Sequence, residues 1–256
     1  MASLSGADVP QGFGGARIHA VQIGLGTFGT FIQNLAGNKS DWDSTTHRLL
    51  RSTSEASCEN FNGVAVEPVR DRGLRLRPLL SLLPGVRLVQ TALGEVDQLD
   101  GQEDIYVLTA EAHAMLLENV PSCQREQFSQ ELVYLRTMSC VGKEHPFIRE
   151  FRSRALDDYG VDIPMEPIPT DVWSYGRLAD CCDFCGCELL LIDAEGHDVE
   201  ILRSMIKHCR EREAQNECAW PDLIVFETMG HCDRHEGSGA EGAMIRESTN
   251  GQRCLH

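Results

Sequence analysis

Asp193, Glu195 and His197 alternate along one short stretch around Gly196, within Glu188 to Leu202, ELLLIDAEGHDVEIL. Two carboxylates and an imidazole this close can take a proton from a hydroxyl or orient a polar ligand. Imidazole ordinarily titrates nearest neutrality, so His197 is the natural base for a hydroxyl acceptor. A plainer reading stands beside this one. In it, Asp193 and Glu195 only cap the next helix or orient a cofactor, and His197 faces solvent.

The flanking pattern fixes where these residues sit. Leu189 to Ile192 is a continuous apolar run, as expected of a strand buried on both faces. Val199, Leu202, Met205, Ile206 and Cys209 then follow at the three-and-four spacing of an amphipathic helix. The polar trio therefore lies where a strand hands over to a helix. In open α/β sheets that carboxyl edge is where ligands bind.

A second turn belongs with the first. Ile18 to Ile23 reads as a strand running into Gly24-Leu25-Gly26-Thr27-Phe28-Gly29, which has G-x-G-x-x-G spacing. Glycines there permit a tight turn and let the backbone approach a nucleotide-like cofactor. A dinucleotide site wants an acid closing the second strand about 20 residues further on. Asp41 and Asp43 lie near that distance, but the preceding AGNKS is no strand. The acid that does close a strand is Glu67, after GVAV. This spacing disfavours a standard dinucleotide fingerprint and leaves a general adenosine-cofactor site, or a glycine turn that only packs helix on strand.

Strands are predicted at 18–23, 63–67, 86–93, 189–192 and 221–227, with a short strand-like run at 105–108. Helical patterns fall between them. Leu74, Leu76, Leu79, Leu80 and Leu83 form one apolar face, 111–160 is largely helical, and Val172 to Ala179 resembles another helix. Met165 to Thr170 is extended and punctuated by prolines, and 38–60 reads as a surface insertion. Strands alternating with helices predict an α/β, doubly wound, mainly parallel sheet. The segment from about 96 to 187 exceeds one crossover helix and is expected to form a helical insertion, a lid or wall over the ligand site. The chain divides into a leader (1–16), the main domain (17–231) and an irregular, divergent or truncated tail (232–256) with no strand-like run.

The chain has 256 residues, with 23 Lys and Arg against 39 Asp and Glu, for a net charge of −16. Such a surface disfavours phosphate backbones and anionic membranes, so neither nucleic acid nor membrane is an expected partner. No apolar run suffices to span a bilayer, and Met1 to Gly15 lacks a signal-peptide pattern, which points to the cytoplasm. Eleven cysteines fit reduced thiols. Cys181, Cys182, Cys185 and Cys187 lie too close together for two separated ligand pairs and are read as inert, mostly buried thiols. Glu227 and His231, with Asp193 or Glu195, have the chemistry of an oxygen-rich cation site, but spacing alone does not distinguish this from ordinary edge polarity and no metal is assigned. Met138, Trp173 and Tyr175 are either pocket wall or core.

IGLGTFG, AVEPV, ALGE, LLLIDAEGHDVEIL and DLIVFE occur in the order found in the FkbM-type S-adenosylmethionine-dependent methyltransferases, and LIDAEGHDVEIL resembles that family's most distinctive segment. The resemblance spans roughly Ile18 to His231. It implies a Rossmann-like methyltransferase fold and S-adenosylmethionine as cofactor. On this analogy Gly24, Gly26 and Thr27 line the methionine-side loop, Glu67 binds the ribose, and Ala92 and Leu93 flank the adenine. The implied reaction is O-methylation of a small-molecule or sugar-like hydroxyl, with Asp193, Glu195 and His197 as the catalytic candidates. Two departures from the family pattern stand out. Gln22, a cofactor-binding candidate whose amide can still hydrogen-bond the cofactor's amino-acid end but supplies no negative charge, replaces the acid that commonly ends the first strand, and the polar tail replaces a final helix and strand pair. An NAD-dependent oxidoreductase and a non-catalytic cofactor-binding protein are the competing readings.

Overall fold

The computed structural model describes residues 12–25, 61–108, 110–135, 138–142, 144–226, 239 and 254–255. Along the chain these form β1 (Ala16–Ile23), β2 (Gly63–Val66), α1 (Arg70–Leu80), β3 (Val86–Val89), β4 (Ala92–Leu93) and β5 (Gln98–Leu108). Next come α2 (Ala110–Asn119), α3 (Arg125–Leu135), β6 (Cys140–Val141), α4 (Pro146–Tyr159), β7 (Met165–Trp173) and α5 (Tyr175–Cys182). The last are β8 (Phe184–Ile192), α6 (Asp198–Glu213), β9 (Leu223–Phe226) and β10 (Cys254–Leu255).

The protein is α/β. One sheet has the order β10-β9-β8-β1-β2-β3, and every pairing in it is parallel. Its central strands are apolar on both faces, for the reason their sequences suggest. Val64, Val66, Leu190 and Ile192 point one way, into a core shared with Leu178 of α5 and Val199, Leu202 and Met205 of α6. Ala65, Leu189 and Leu191 point the other way, towards Leu76 of α1 and Leu83. Leu74, expected on the buried face of α1, is instead exposed, and Arg72, Gly73 and Leu76 are the buried positions of that helix. The chain moves outward from β1 through β2 to β3, then returns to β8 on the opposite side of β1. The strand order thus switches direction between β1 and β8, where the glycine bend and the acidic loop leave the sheet.

The segment after β3 differs from expectation. Helices α2, α3 and α4 are present, with Leu132, Leu135, Ile148 and Phe151 in their own core. Beside them stands a second sheet, β4-β7-β5-β6, in which β5 runs antiparallel to both β6 and β7. The insertion is therefore mixed rather than helical. The strand-like run at 105–108 is the second half of β5 and the extended stretch 165–170 lies in β7, but the polar first half of β5 and Pro167 and Pro169 of β7 hide their full length and their pairing from the sequence. Among the described residues β4 pairs only with Val172 and Trp173, so the rest of β7 is an edge on that side, where prolines are tolerated.

Three boundaries also move. The run 86–93 is two strands, because the chain leaves the parallel sheet at Gln90-Thr91 and β4 joins the second sheet. Val172 and Trp173 end β7, and the helix begins only at Tyr175, capped by the Ser174 hydroxyl accepting from the Arg177 amide. In the tail, Cys254 and Leu255 pair in parallel with Ile224 and Val225 of β9. A strand does follow β9, although two residues are too few to leave a hydrophobic pattern.

Candidate functional site

Three adjacent parallel strands bring the sequence candidates to one rim. The Asp193 amide donates to the Ile23 carbonyl at 2.9 Å, and the Gly24 amide donates to the Val66 carbonyl at 3.0 Å. The ends of β1, β2 and β8 are thereby tied together. Gly24 has φ +79°, and a Cβ placed there would lie 1.8 Å from the Asp193 carbonyl oxygen. Only glycine lets the bend pack directly on the acidic loop. Gln22 braces the same bend, its side-chain amide donating to the Gly24 carbonyl at 3.2 Å.

Glu67 is buried just beyond β2. Its carboxylate accepts from the amides of Leu25 at 3.2 Å and Val69 at 2.9 Å, joining the glycine turn to the start of α1. Arg72 lies 3.9 Å from the same carboxylate and is also buried. The Arg72 guanidinium reaches across to the insertion, donating to the Ser139 hydroxyl at 3.1 Å and the Met138 carbonyl at 3.3 Å. Ala92 and Leu93 are buried in β4, opposite Val172 and Trp173, and so belong to the second sheet where it meets the rim. Gly26 and Thr27 lie outside the described residues, as do Asp41, Asp43, Glu227 and His231.

The acidic loop is tightly built. Glu195 adopts φ +53° and Gly196 φ +102°, and a left-handed glutamate costs about 1 kcal/mol or more. The loop wraps around the carboxylate of Asp198, the first residue of α6, which accepts from the amides of Ala194 at 3.4 Å and Gly196 at 3.2 Å. Burial raises the Asp198 carboxyl to about 6 against the pull of those amides, and the Glu195 charge adds to the rise. Asp198, missed in the sequence reading, is the organiser of this loop. Its only signal was an acid at the first position of a helix after a glycine turn.

The insertion then closes over the rim. His197 is buried rather than solvent-facing, with Nε2 3.2 Å from the Val141 carbonyl oxygen and Nδ1 3.3 Å from the Glu200 carboxylate. A carbonyl only accepts, so Nε2 carries a proton, and the Nδ1–Glu200 contact shares another. His145, also missed, caps α4 by accepting the Phe147 amide at Nδ1. Its protonated Nε2 therefore faces the Glu195 carboxylate, 3.7 Å away. Arg72, His145 and His197 together clamp residues 138–142 and 144–145 onto the ends of β2 and β8.

The chain matches no known family model, no curated protein and no solved structure. Its functional reading therefore rests on the geometry of the rim and on the motif resemblance.

Two of the wall candidates are core. Met138 and Tyr175 are fully buried, the latter with its hydroxyl 3.9 Å from the Cys187 sulfur. Trp173 is half-buried beneath the Arg177 guanidinium. In the cysteine cluster, Cys182 and Cys187 are buried while Cys181 and Cys185 are half-buried. Burial pushes the Cys182 thiol up to about 11 and Cys187 to about 12. Among the described residues no three His, Cys, Asp or Glu side chains gather as a metal site, and no helix is long and apolar enough to cross a membrane.

Proposed function

We propose that this protein is an S-adenosylmethionine-dependent methyltransferase acting on a hydroxyl of a small-molecule acceptor. One observation carries the reading: the Gly24 bend, Glu67 and Asp193 stand together at the carboxyl ends of β1, β2 and β8, where the strand order switches. The strand order and the two covered faces accord with a Rossmann-like methyltransferase fold.

The donor set fits such a cofactor. Glu67 is an acceptor-only group at the end of the second strand, which suits the two hydroxyls of a ribose. The glycine bend supplies close backbone approach, and Ala92-Leu93, buried in β4 where the second sheet meets the rim, is the apolar pair assigned to the adenine side. Asp193 is the acid beside the bend and takes over the charge that Gln22 lacks. When bound, the cofactor supplies an electrophilic methyl group on a sulfonium. The protein must then align the acceptor, exclude water and receive the hydroxyl proton. His197 is committed to Val141 and Glu200, so its part is to hold the insertion closed. The base in this reading is Glu195, half-buried on a strained backbone, with His145 orienting its carboxylate.

A second reading, cofactor binding without turnover, draws support from Glu67, whose carboxylate already accepts two backbone amides. Thermal unfolding with and without ligand tests both against the oxidoreductase alternative. S-adenosylhomocysteine is expected to raise the midpoint while NAD leaves it unchanged, and the opposite pattern overturns the proposal. Methyl transfer from labelled S-adenosylmethionine to hydroxyl-bearing compounds then separates enzyme from binder.

A further inference from the structure

Arg177 occupies the first turn of α5, with its guanidinium carbon 5.2 Å from the centre of the Trp173 ring. The pair is unusual in what it lacks. The Arg177 Nε and the Trp173 indole Nε1 are both buried, and neither has a hydrogen-bond partner among the described residues. Arg17, Arg87, Arg152 and Arg212, half-buried like Arg177, each donate to a carboxylate or carbonyl. In a chain with 39 acids against 23 bases, a half-buried guanidinium without an acid is not explained by scarcity of partners. Buried N–H groups left without acceptors cost stability, and such groups mark places where something else supplies the acceptor.

The surroundings point the same way. The Trp173 carbonyl accepts the Gly94 amide at 3.0 Å, and Trp173 lies opposite Leu93 in the second sheet. A Cβ on Gly94 would lie 3.7 Å from the Glu200 carboxylate, so the backbone at Trp173 runs close to the start of α6. Two acids of neighbouring segments are already engaged. Asp97 accepts the Ser174 amide at 2.7 Å, and Glu200 lies 3.3 Å from the His197 ring. A positive helix end adds to the field at Arg177.

We infer that Arg177 and Trp173 form a binding subsite for an oxyanion, a carboxylate or phosphate group carried by the methyl acceptor. A guanidinium presents a planar fork of donors that matches two oxygens of such a group, and the indole N–H adds a third donor. The acceptor is then an acidic hydroxyl compound. Its part as acceptor rests on the methyltransferase reading, whereas the oxyanion site itself does not.

The test follows the Trp173 indole N–H resonance by nitrogen-edited NMR, assigned with a Trp173→Phe variant. Sodium acetate, sodium phosphate and sodium chloride are titrated at matched ionic strength. A saturable shift with acetate or phosphate, but not with chloride, is expected. Acetate alone assigns a carboxylate, and phosphate alone assigns a phosphate ester. Arg177→Met should weaken that response at least tenfold while keeping the wild-type unfolding midpoint and S-adenosylhomocysteine binding. Absence of any anion-specific shift overturns the inference, as does a large drop in midpoint for Arg177→Met, which would make Arg177 a structural brace. If the resonance titrates while S-adenosylhomocysteine fails to bind, the oxyanion site stands and the methyltransferase reading falls.

Discussion

A methyl group at Gly24 would lie 1.8 Å from the Asp193 carbonyl oxygen on a backbone at φ +79°. Gly24→Ala must therefore part β1 from the acidic loop or strain both, at a cost on the order of 3 kcal/mol. Denaturant unfolding checks this, and an unchanged midpoint would contradict the packing described. Asp198 gives a pH signature. Its carboxyl is raised to about 6 in the folded chain from an ordinary value of 3.8, so between those limits the folded state binds more protons than the unfolded one. Stability from this group is thus fully present below about pH 4 and is lost as pH rises through 6, by on the order of 3 kcal/mol. Asp198→Asn has no charge to bury, although its amide cannot accept from both Ala194 and Gly196. The stability of wild type minus variant should therefore fall between pH 4 and 7, and a flat difference would show that burial does not dominate at Asp198. At this scale the sequence displayed Gly24, Glu67 and Asp193 because each ends an apolar strand. Asp198 and His145 carried no such mark, since their roles depend on a loop and a helix start from distant parts of the chain.

At the scale of elements, the join between the insertion and the sheet is polar and depends on few residues. Arg72 faces Glu67 at 3.9 Å and also holds Ser139 and Met138. Arg72→Met would leave a buried carboxylate without its cation and release the 138–142 segment, costing about 3 kcal/mol. Limited proteolysis of this variant should show earlier cleavage within the insertion, and wild-type resistance would count against the clamp. The α5–β8 junction makes a chemical prediction instead. Cys182, Cys187 and Cys209 are buried with thiols raised to about 11, 12 and 12, whereas Cys123 and Cys218 are exposed. Alkylation of the native chain, read by peptide mass spectrometry, should label Cys123 and Cys218 well before the buried three. Rapid labelling of Cys187 would contradict the packing of β8. The parallel strands were legible because Val64 to Val66 and Leu189 to Ile192 are apolar without interruption. β5 and β7 were legible only in part, as the run 105–108 and the extended stretch 165–170, because proline and a polar half-strand erase the alternation that a half-buried strand usually shows.

For the whole molecule, the decisive feature is that a chain of net charge −16 gathers its acids and its glycine bend at the carboxyl ends of adjacent strands. Glu67 joins the bend to α1, Asp193 joins it to β8, and the insertion seals the rim through Arg72, His145 and His197. That convergence followed from β1, β2 and β8 being read as strands of one parallel sheet. How the insertion closes over them did not, because it depends on single side chains such as His145 meeting a loop fifty residues away in sequence. Calorimetric titration of S-adenosylhomocysteine into wild type and a Glu67→Ala variant, with folding of the variant confirmed by circular dichroism, tests the central claim most directly. A saturable wild-type signal that drops at least tenfold in affinity in the folded variant is the predicted result. Equal binding by both chains, or none by the wild type, would contradict it.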